Sequence, residues 1–472
     1  MKKPLPTRLA LAAATLVALT LAGCATPVAQ HAVDVPATFA AATSIEDEPD
    51  LAWWESFGDP VLTQLVRRAA SENRDIKMAA QRVRAARAGE TISRSALLPS
   101  VGLSAEGSYS DTGRSAAYKA QSPDASRQAV GLDVSWELDI TGRVRAGASA
   151  AEADAMAAQY GERGVRLLVV SDVATNYFTL VGAQRQLDTV RAISTAQDET
   201  LRLVTARQRV GLATAFDVER AQTAALQARA AIPPLETLAA VSRHRIAVLT
   251  GGQAGQASAI VPFNGAVVVP TTRTGQPASL LERRPDLLAM KAQLTAANFR
   301  RQQAAAEWFP RLFVGAMFGR DSLQLNSIDV GSSRFTNASA LLAMPLFNAG
   351  RTQAINDIAE SGQAEALARY EDGIVRALED VENSLVGLRE ERTRSESLGA
   401  AATSADAALG RAQSLFERGQ VDLLPLLDAQ RARLSVRLGA NESQTQLQLA
   451  SVRLFKALGG GWQAFESPSK TH

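Results

Sequence analysis

The 472-residue chain is poor in the residues that metal and covalent chemistry need. It holds one cysteine, Cys24, and three histidines, His31, His244 and His472. One cysteine excludes a disulfide framework within the chain, and with so few histidines a His/Cys metal cluster is nearly excluded too. A histidine-based catalytic centre could use only His244, because the other two lie in linker and tail segments. No Ser/His/Asp arrangement is legible and no Gly-rich loop follows a strand, so the chain is not expected to be an enzyme. An excess of one charge is also missing. Against 48 Asp and Glu stand 50 Lys and Arg, a formal +2. Three of those positive charges, Lys2, Lys3 and Arg8, sit in the first eight residues. Without them the balance turns slightly negative, which gives no electrostatic footprint for nucleic acid.

What is present begins with an export signal. After Lys2, Lys3 and Arg8 comes an apolar stretch, Leu9 to Leu21, too short for a ~20-residue membrane span. It ends in Leu21-Ala22-Gly23-Cys24, which resembles the lipobox of bacterial lipoproteins, in which the cysteine becomes the lipid-modified N-terminus. An ordinary secretory signal with an incidental cysteine is the alternative. Ala25 follows, not the Asp that in such lipoproteins marks retention at the inner membrane, so the outer membrane is implied. Residues 25–50, rich in Ala, Thr, Pro and acidic residues, read as a flexible tether.

The most informative feature is an internal duplication. Gly142-Arg143 recurs 208 positions later as Gly350-Arg351, and Asp172-Val173 as Asp380-Val381. Gly211 matches Gly419, Ala221-Gln222 matches Ala429-Gln430, and Gly251-Gly252 matches Gly459-Gly460 at the same offset. Upstream, Leu98-Pro99 answers to Phe309-Pro310 at a slightly larger offset. The implied organisation is a signal peptide (1–23), a lipid-anchored linker (24–60), repeat 1 (61–250), a joint (251–280), repeat 2 (281–460) and a tail (461–472).

Each repeat carries two strand candidates. Over 129–140, Val130, Leu132, Val134, Trp136, Leu138 and Ile140 alternate with Ala129, Gly131, Asp133, Ser135, Glu137 and Asp139, leaving one face wholly apolar. Its partner spans about 100–109. In repeat 2 the candidates are about 312–320 and the stretch from Ala338 to Leu346. A soluble sandwich strand has the same pattern. Strand length and the lack of a second sheet to cover the apolar face favour lipid. Proline-free helical runs follow, 143–210 and 351–418. At 1.5 Å per residue each gives ~100 Å of helix, which must lie beside others of its length. Gly211 and Gly419 read as left-handed caps, and Thr214 and Asp422 as N-caps of return helices over 215–250 and 423–458.

Four membrane strands cannot close a barrel alone, because open edges in lipid leave N–H and C=O groups unsatisfied at several kcal/mol each. Two chains would supply eight strands; three would supply twelve and a water-filled lumen.

Trp53-Trp54, Phe57, Asp59-Pro60, Asn73, Arg283-Arg284-Pro285-Asp286, Trp308-Phe309-Pro310, Pro345-Leu346-Phe347 and Leu458-Gly459-Gly460-Gly461-Trp462 occur in order within this repeat frame. So placed, the chain resembles the outer membrane efflux channels of the TolC family, in its lipoprotein (NodT-like) branch. The resemblance implies a mixed α and β membrane protein: a homotrimeric tunnel whose transmembrane β-barrel, four strands per chain, continues as a long α-helical barrel. It implies a periplasmic adaptor and an inner membrane pump as partners, drugs or other small molecules as cargo, and no cofactor besides the lipid on Cys24. It carries Leu424 and Asp428 onto the periplasmic constriction, with Pro425 where some relatives have a second acid. Gly211, Leu212, Gly419 and Val421 become candidate adaptor contacts at the tips. A lipid-anchored adaptor, or a helical protein without a channel, is the competing expectation.

Overall fold

In a computed structural model the described residues are 33–41, 50–255, 260–263, 268–270 and 273–466. The signal segment and Cys24 lie outside them. The main elements in order, leaving aside single-turn helices such as Ala116–Lys119 and Leu280–Arg283, are α1 (Pro60–Glu72), α2 (Arg74–Ser95), β1 (Ser100–Ser110), β2 (Ala125–Leu138), α3 (Arg143–Arg209), α4 (Ala215–Ala230) and α5 (Ile232–Leu249). After the joint come α6 (Pro285–Ala305), β3 (Arg311–Leu325), β4 (Ile328–Ala343), α7 (Arg351–Glu417) and α8 (Leu423–Ala457). Both long helices, α3 and α7, run 67 residues.

The chain divides into two compact units that are not its two sequence repeats. One holds Arg84–Ala157 and Met290–Glu371; the other holds Val33–Val83, Ala158–Ala289 and the chain from Asp372 on. The first contains all four strands, in an antiparallel sheet of order β1-β2-β3-β4. Its helical portions pack through small side chains: Ala146, Ala148, Ala150, Ala153, Ala155 and Ala157 of α3 are all buried. Alanine lets helix backbones approach closely at little cost in side-chain entropy.

The second unit has the large core. Trp53, Trp54 and Phe57 are buried with Tyr177, Phe178, Leu180 and Phe455. The Trp53 indole stacks on Phe455 at 5.1 Å, and its Nε1 donates to the Gly460 carbonyl at 3.2 Å. Burial of each such ring contributes about 1.5–3 kcal/mol. Asp59 starts α1 by accepting from the N–H groups of Val61 and Leu62, while its other oxygen accepts from the Tyr177 hydroxyl at 2.5 Å. Burial, and then that bond, raise the Tyr177 phenol above its ordinary range.

The duplication reappears as matched local geometry. Gly142 and Gly350, each directly before a long helix, have φ of 79° and 85°. At the return-helix ends, Gly251 donates to Val248 and Gly252 to Ala247; Gly459 donates to Lys456 and Gly460 to Phe455. These are the same glycine cap, one offset apart. Asn73 Nδ2 donates to the carbonyl of Leu249 at 2.9 Å, and the Arg284 guanidinium to that of Ala457 at 3.2 Å. Two different side chains thus tie the start of a short helix to the end of a return helix.

Three expectations need correction. The first return helix is not continuous over 215–250. It breaks at Ala231, because Pro233 and Pro234 lack N–H donors and their rings clash with carbonyls one turn back. The strands of the second pair are longer than expected and meet in a two-residue turn, Asn326-Ser327, with positive φ at both. That is the hairpin turn whose hand matches strand twist. Finally, β2 ends at Leu138 and β4 at Ala343, so Ile140, Met344 and Leu346 lie outside the sheet.

Candidate functional site

Register assigns every strand residue to one of two faces. On one face Leu138, Leu312 and Leu342 align, followed by Trp136, Val314 and Ala340. The next rows are Val101, Val134, Ala316 and Ala338, then Leu103, Leu132, Phe318 and Thr336. The fifth row is mixed: Ala105 and Val130 stand on β1 and β2, and Arg320 and Arg334 complete it on β3 and β4. The four uncharged rows span about 20 Å of strand, or about 16 Å of depth at a ~40° tilt, and the apolar half of the fifth extends the band toward the ~25 Å of an outer membrane barrel. Val101 and Leu103 are 67% and 76% exposed, so the described residues leave the β1 side of this face uncovered. Trp136 sits near its helix-proximal end, its Nε1 donating to the Leu97 carbonyl at 3.1 Å.

The opposite face is mixed: small and polar residues prevail in the rows Ser100, Ser135, Gly315 and Ser339, then Gly102, Asp133, Met317 and Asn337, while Phe313, Leu341 and Phe335 of β3 and β4 share that face. Glycine is required at Gly319, where a Cβ would sit 2.5 Å from the Val130 carbonyl and 2.6 Å from the Phe335 ring; at Gly131 a Cβ would stand tightly, 3.3 Å from the same ring. Two carboxylates expected on this face serve the helix start instead. Glu137 is held bidentately by Arg143, at 3.0 and 2.6 Å. Asp139 accepts from the N–H groups of Val144 and Arg145.

The helical tips are built from the repeated caps. At the end of α3, Gly211 (φ 78°) donates to Gln208 and Leu212 to Arg207; at the end of α7, Gly419 (φ 71°) donates to Phe416 and Gln420 to Leu415. Thr214 and Asp217 form a reciprocal capping box at the start of α4. Thr214 bonds hold the Asp217 carboxyl below its usual range. The equivalent Asp422 makes no side-chain cap; Pro425, at the third helical position, has no N–H to give it. Beneath lie Val204, Phe416, Leu423, Leu426 and Leu427, buried together.

The structure distributes the candidate tip residues unevenly. Leu212 is 71% exposed, whereas Val421 is half-buried against the tip cluster. Gly211 and Gly419 are exposed. Val210, next to Gly211 in the tip motif, is exposed, and so is Phe216, which sequence reasoning passed over; a lone aromatic just inside the capping box was the available signal. Leu424 and Asp428 are both exposed on one side of α8. Asp428 pairs loosely with Arg431 at 3.7 Å. Also passed over was Asp406 of α7, which accepts from Arg433 at 2.7 Å and from Arg437, clamping α7 to α8.

In the same unit, Arg284 donates to Asp286 (2.7 Å) and Asp380 (3.1 Å). Burial works to raise the Asp286 carboxyl, but the bond and charge of Arg284 prevail and hold it below its usual range. His244 is an exposed residue in mid-helix, and no cluster able to hold a metal ion occurs among the described residues.

A sheet with one largely apolar exposed face and its carboxylates Glu106, Asp133 and Asp321 on the other, joined to helices of ~100 Å, defines the class: a mixed α and β channel subunit of a bacterial outer membrane. The chain belongs to the outer membrane efflux protein family, whose family model matches residues 65–252 and 277–460. It is 31% identical to the outer membrane protein OprJ of Pseudomonas aeruginosa, over 95% of each chain. It is 32% identical to the pyoverdine export outer membrane protein OpmQ of the same species, over 87% of this chain and 88% of that one. The solved structure of the outer-membrane channel OprN matches with a TM-score of 0.84 at 28% identity, covering 93% of this chain and 100% of that one. The chain is therefore an outer membrane efflux channel that extends into the periplasm, and the family is one of channels rather than enzymes.

Proposed function

We propose that three copies of the chain close a passive duct that carries drugs or other small molecules outward, each copy anchored by a lipid on Cys24. The observation that carries this reading is the open sheet. β1 and β4 each have one partner among the described residues, so two rows of backbone N–H and C=O groups face outward at membrane depth. In hydrocarbon each unmet group costs several kcal/mol, so the edge of one copy must pair with the edge of the next. Twelve strands leave a lumen that eight would fill with side chains. The purified chain in detergent is expected to have the mass of three copies and to give stable single-channel conductance. A monomer without conductance overturns the reading.

The tips are the surface for a periplasmic adaptor, which links the duct to an inner membrane pump; Leu212 and Gly211 at the first tip and Gly419 and Val421 at the second are the contact candidates. Asp428 and Leu424 form the resting constriction. Three copies of Asp428 around an axis make an acidic ring that favours cations, and only the weak Arg431 contact offsets each carboxylate. Asp428→Ala, alone or with Leu424→Ala, should raise resting conductance several-fold in planar bilayers. Unchanged conductance in both variants removes these residues from the gate.

A further inference from the structure

The apolar face of the sheet ends in two cations. Register places Arg320 of β3 directly opposite Arg334 of β4, in the row after Phe318 and Thr336. Both are exposed, and neither has an ion pair or hydrogen bond among the described residues. The strand carboxylates Glu106, Asp133, Glu137 and Asp321 all lie on the opposite face by register. Asp321 is occupied there by Arg127 and Ser333. Asp329, two rows further on the arginine side, holds the Gly331 N–H. Like charges directly opposite across two strands repel, so the pair is uncompensated by the protein itself.

The next row outward is polar and neutral: Gln128, Ser322 and Ser332. The face thus runs from aliphatic side chains through a paired guanidinium to amide and hydroxyl groups. All the long helices leave from the other end of the strands, so this rim lies on the side remote from the periplasm. We infer that Arg320 and Arg334 together form a binding site for the phosphate of an anionic phosphoglycolipid in the outer leaflet of the outer membrane. Two forked guanidiniums with Cβ atoms about 5 Å apart can grip one phosphate from both sides. Acyl chains then lie along Leu103, Leu132 and Phe318, and the sugar reaches the Ser322 and Ser332 row. The site rests on the reading that this face meets lipid.

The test uses the purified full-length protein in detergent, with lipid A, dephosphorylated lipid A, phosphatidylcholine and inorganic phosphate as probes, followed by native mass spectrometry. The wild type should bind lipid A at least tenfold more tightly than the double variant R320Q/R334Q. Dephosphorylated lipid A and phosphatidylcholine should bind both proteins equally, and millimolar inorganic phosphate should not displace lipid A. R320K/R334K, which keeps the charge and loses the fork, should fall between. Equal lipid A binding by wild type and R320Q/R334Q overturns the site; so does full displacement by inorganic phosphate, which would make it a free-anion site. Conductance is measured on the same preparations. Its loss in every protein would count against the membrane-spanning reading, and its retention with unchanged lipid binding would count against the arginine site alone. Should R320Q/R334Q not assemble, the single variant R334Q must show the loss, at roughly half the effect on a logarithmic scale.

Discussion

Thr214 and Asp422 occupy equivalent positions in the two repeats, yet only Thr214 makes a cap. Thr214→Ala should therefore cost about 1 kcal/mol of local helix stability, and Asp422→Ala only a few tenths through the helix dipole. Hydrogen exchange at the two tips separates them: faster exchange over 214–218 in the first variant, little change over 422–426 in the second. A buried charge gives a sharper case. Arg284 is 12% exposed and answers both Asp286 and Asp380. Its replacement by alanine leaves those carboxylates unmatched and should destabilise by about 1.5–3 kcal/mol, since both are half-exposed and partly screened by water. Because Asp286 is held below its ordinary range, the link is at full strength above that range and is lost as pH falls through the lowered value. The gap in melting temperature between wild type and Arg284→Ala should accordingly close on acidification.

Among the elements, the repeated glycine caps carry different loads. Gly251 and Gly459 combine positive φ with close backbone: an added Cβ would meet the Glu72 carbonyl at 2.8 Å and Arg284 Cα at 3.0 Å. Gly211 and Gly419 have the same hand of φ and nothing within 4 Å. Alanine at the tip glycines should cost about 1–2 kcal/mol, the left-handed penalty alone. At Gly251 or Gly459 it should cost more, because the short helix must also shift. Denaturant midpoints of the four single variants give the ranking. Most of these elements were legible in the sequence. Helix ends at Gly211 and Gly419 and the box at Thr214 depend on residues a few positions apart, so local chemistry reveals them. The break at Ala231 was legible too, in Pro233-Pro234, but the apolar periodicity across it hid it. The Asn326-Ser327 turn escaped because it lacks the glycine that usually marks such a hairpin.

For the whole molecule, the two faces of the sheet should respond oppositely to one chemical change. Leu132→Arg puts a cation in the middle of the apolar band, at about 2–4 kcal/mol, and should abolish assembled protein in outer membrane fractions. Ser135→Arg adds the same charge to the polar face and should assemble normally with altered ion selectivity. Equal assembly of both variants would mean that neither face meets lipid.

The sequence by itself determined the doubled unit, the period-two strands, the long uninterrupted helices and their caps. Each is written in spacings of a few residues or in one fixed offset, and needs no knowledge of what packs against what. Only the tertiary structure decided that Glu137 and Asp139 serve a helix start, that Asp406 clamps two helices, and that Arg320 and Arg334 stand side by side at the rim of the greasy face. Those outcomes depend on strand register and on which helices become neighbours. Packing between distant segments selects both, and a one-residue slip would have sent each side chain to the other face.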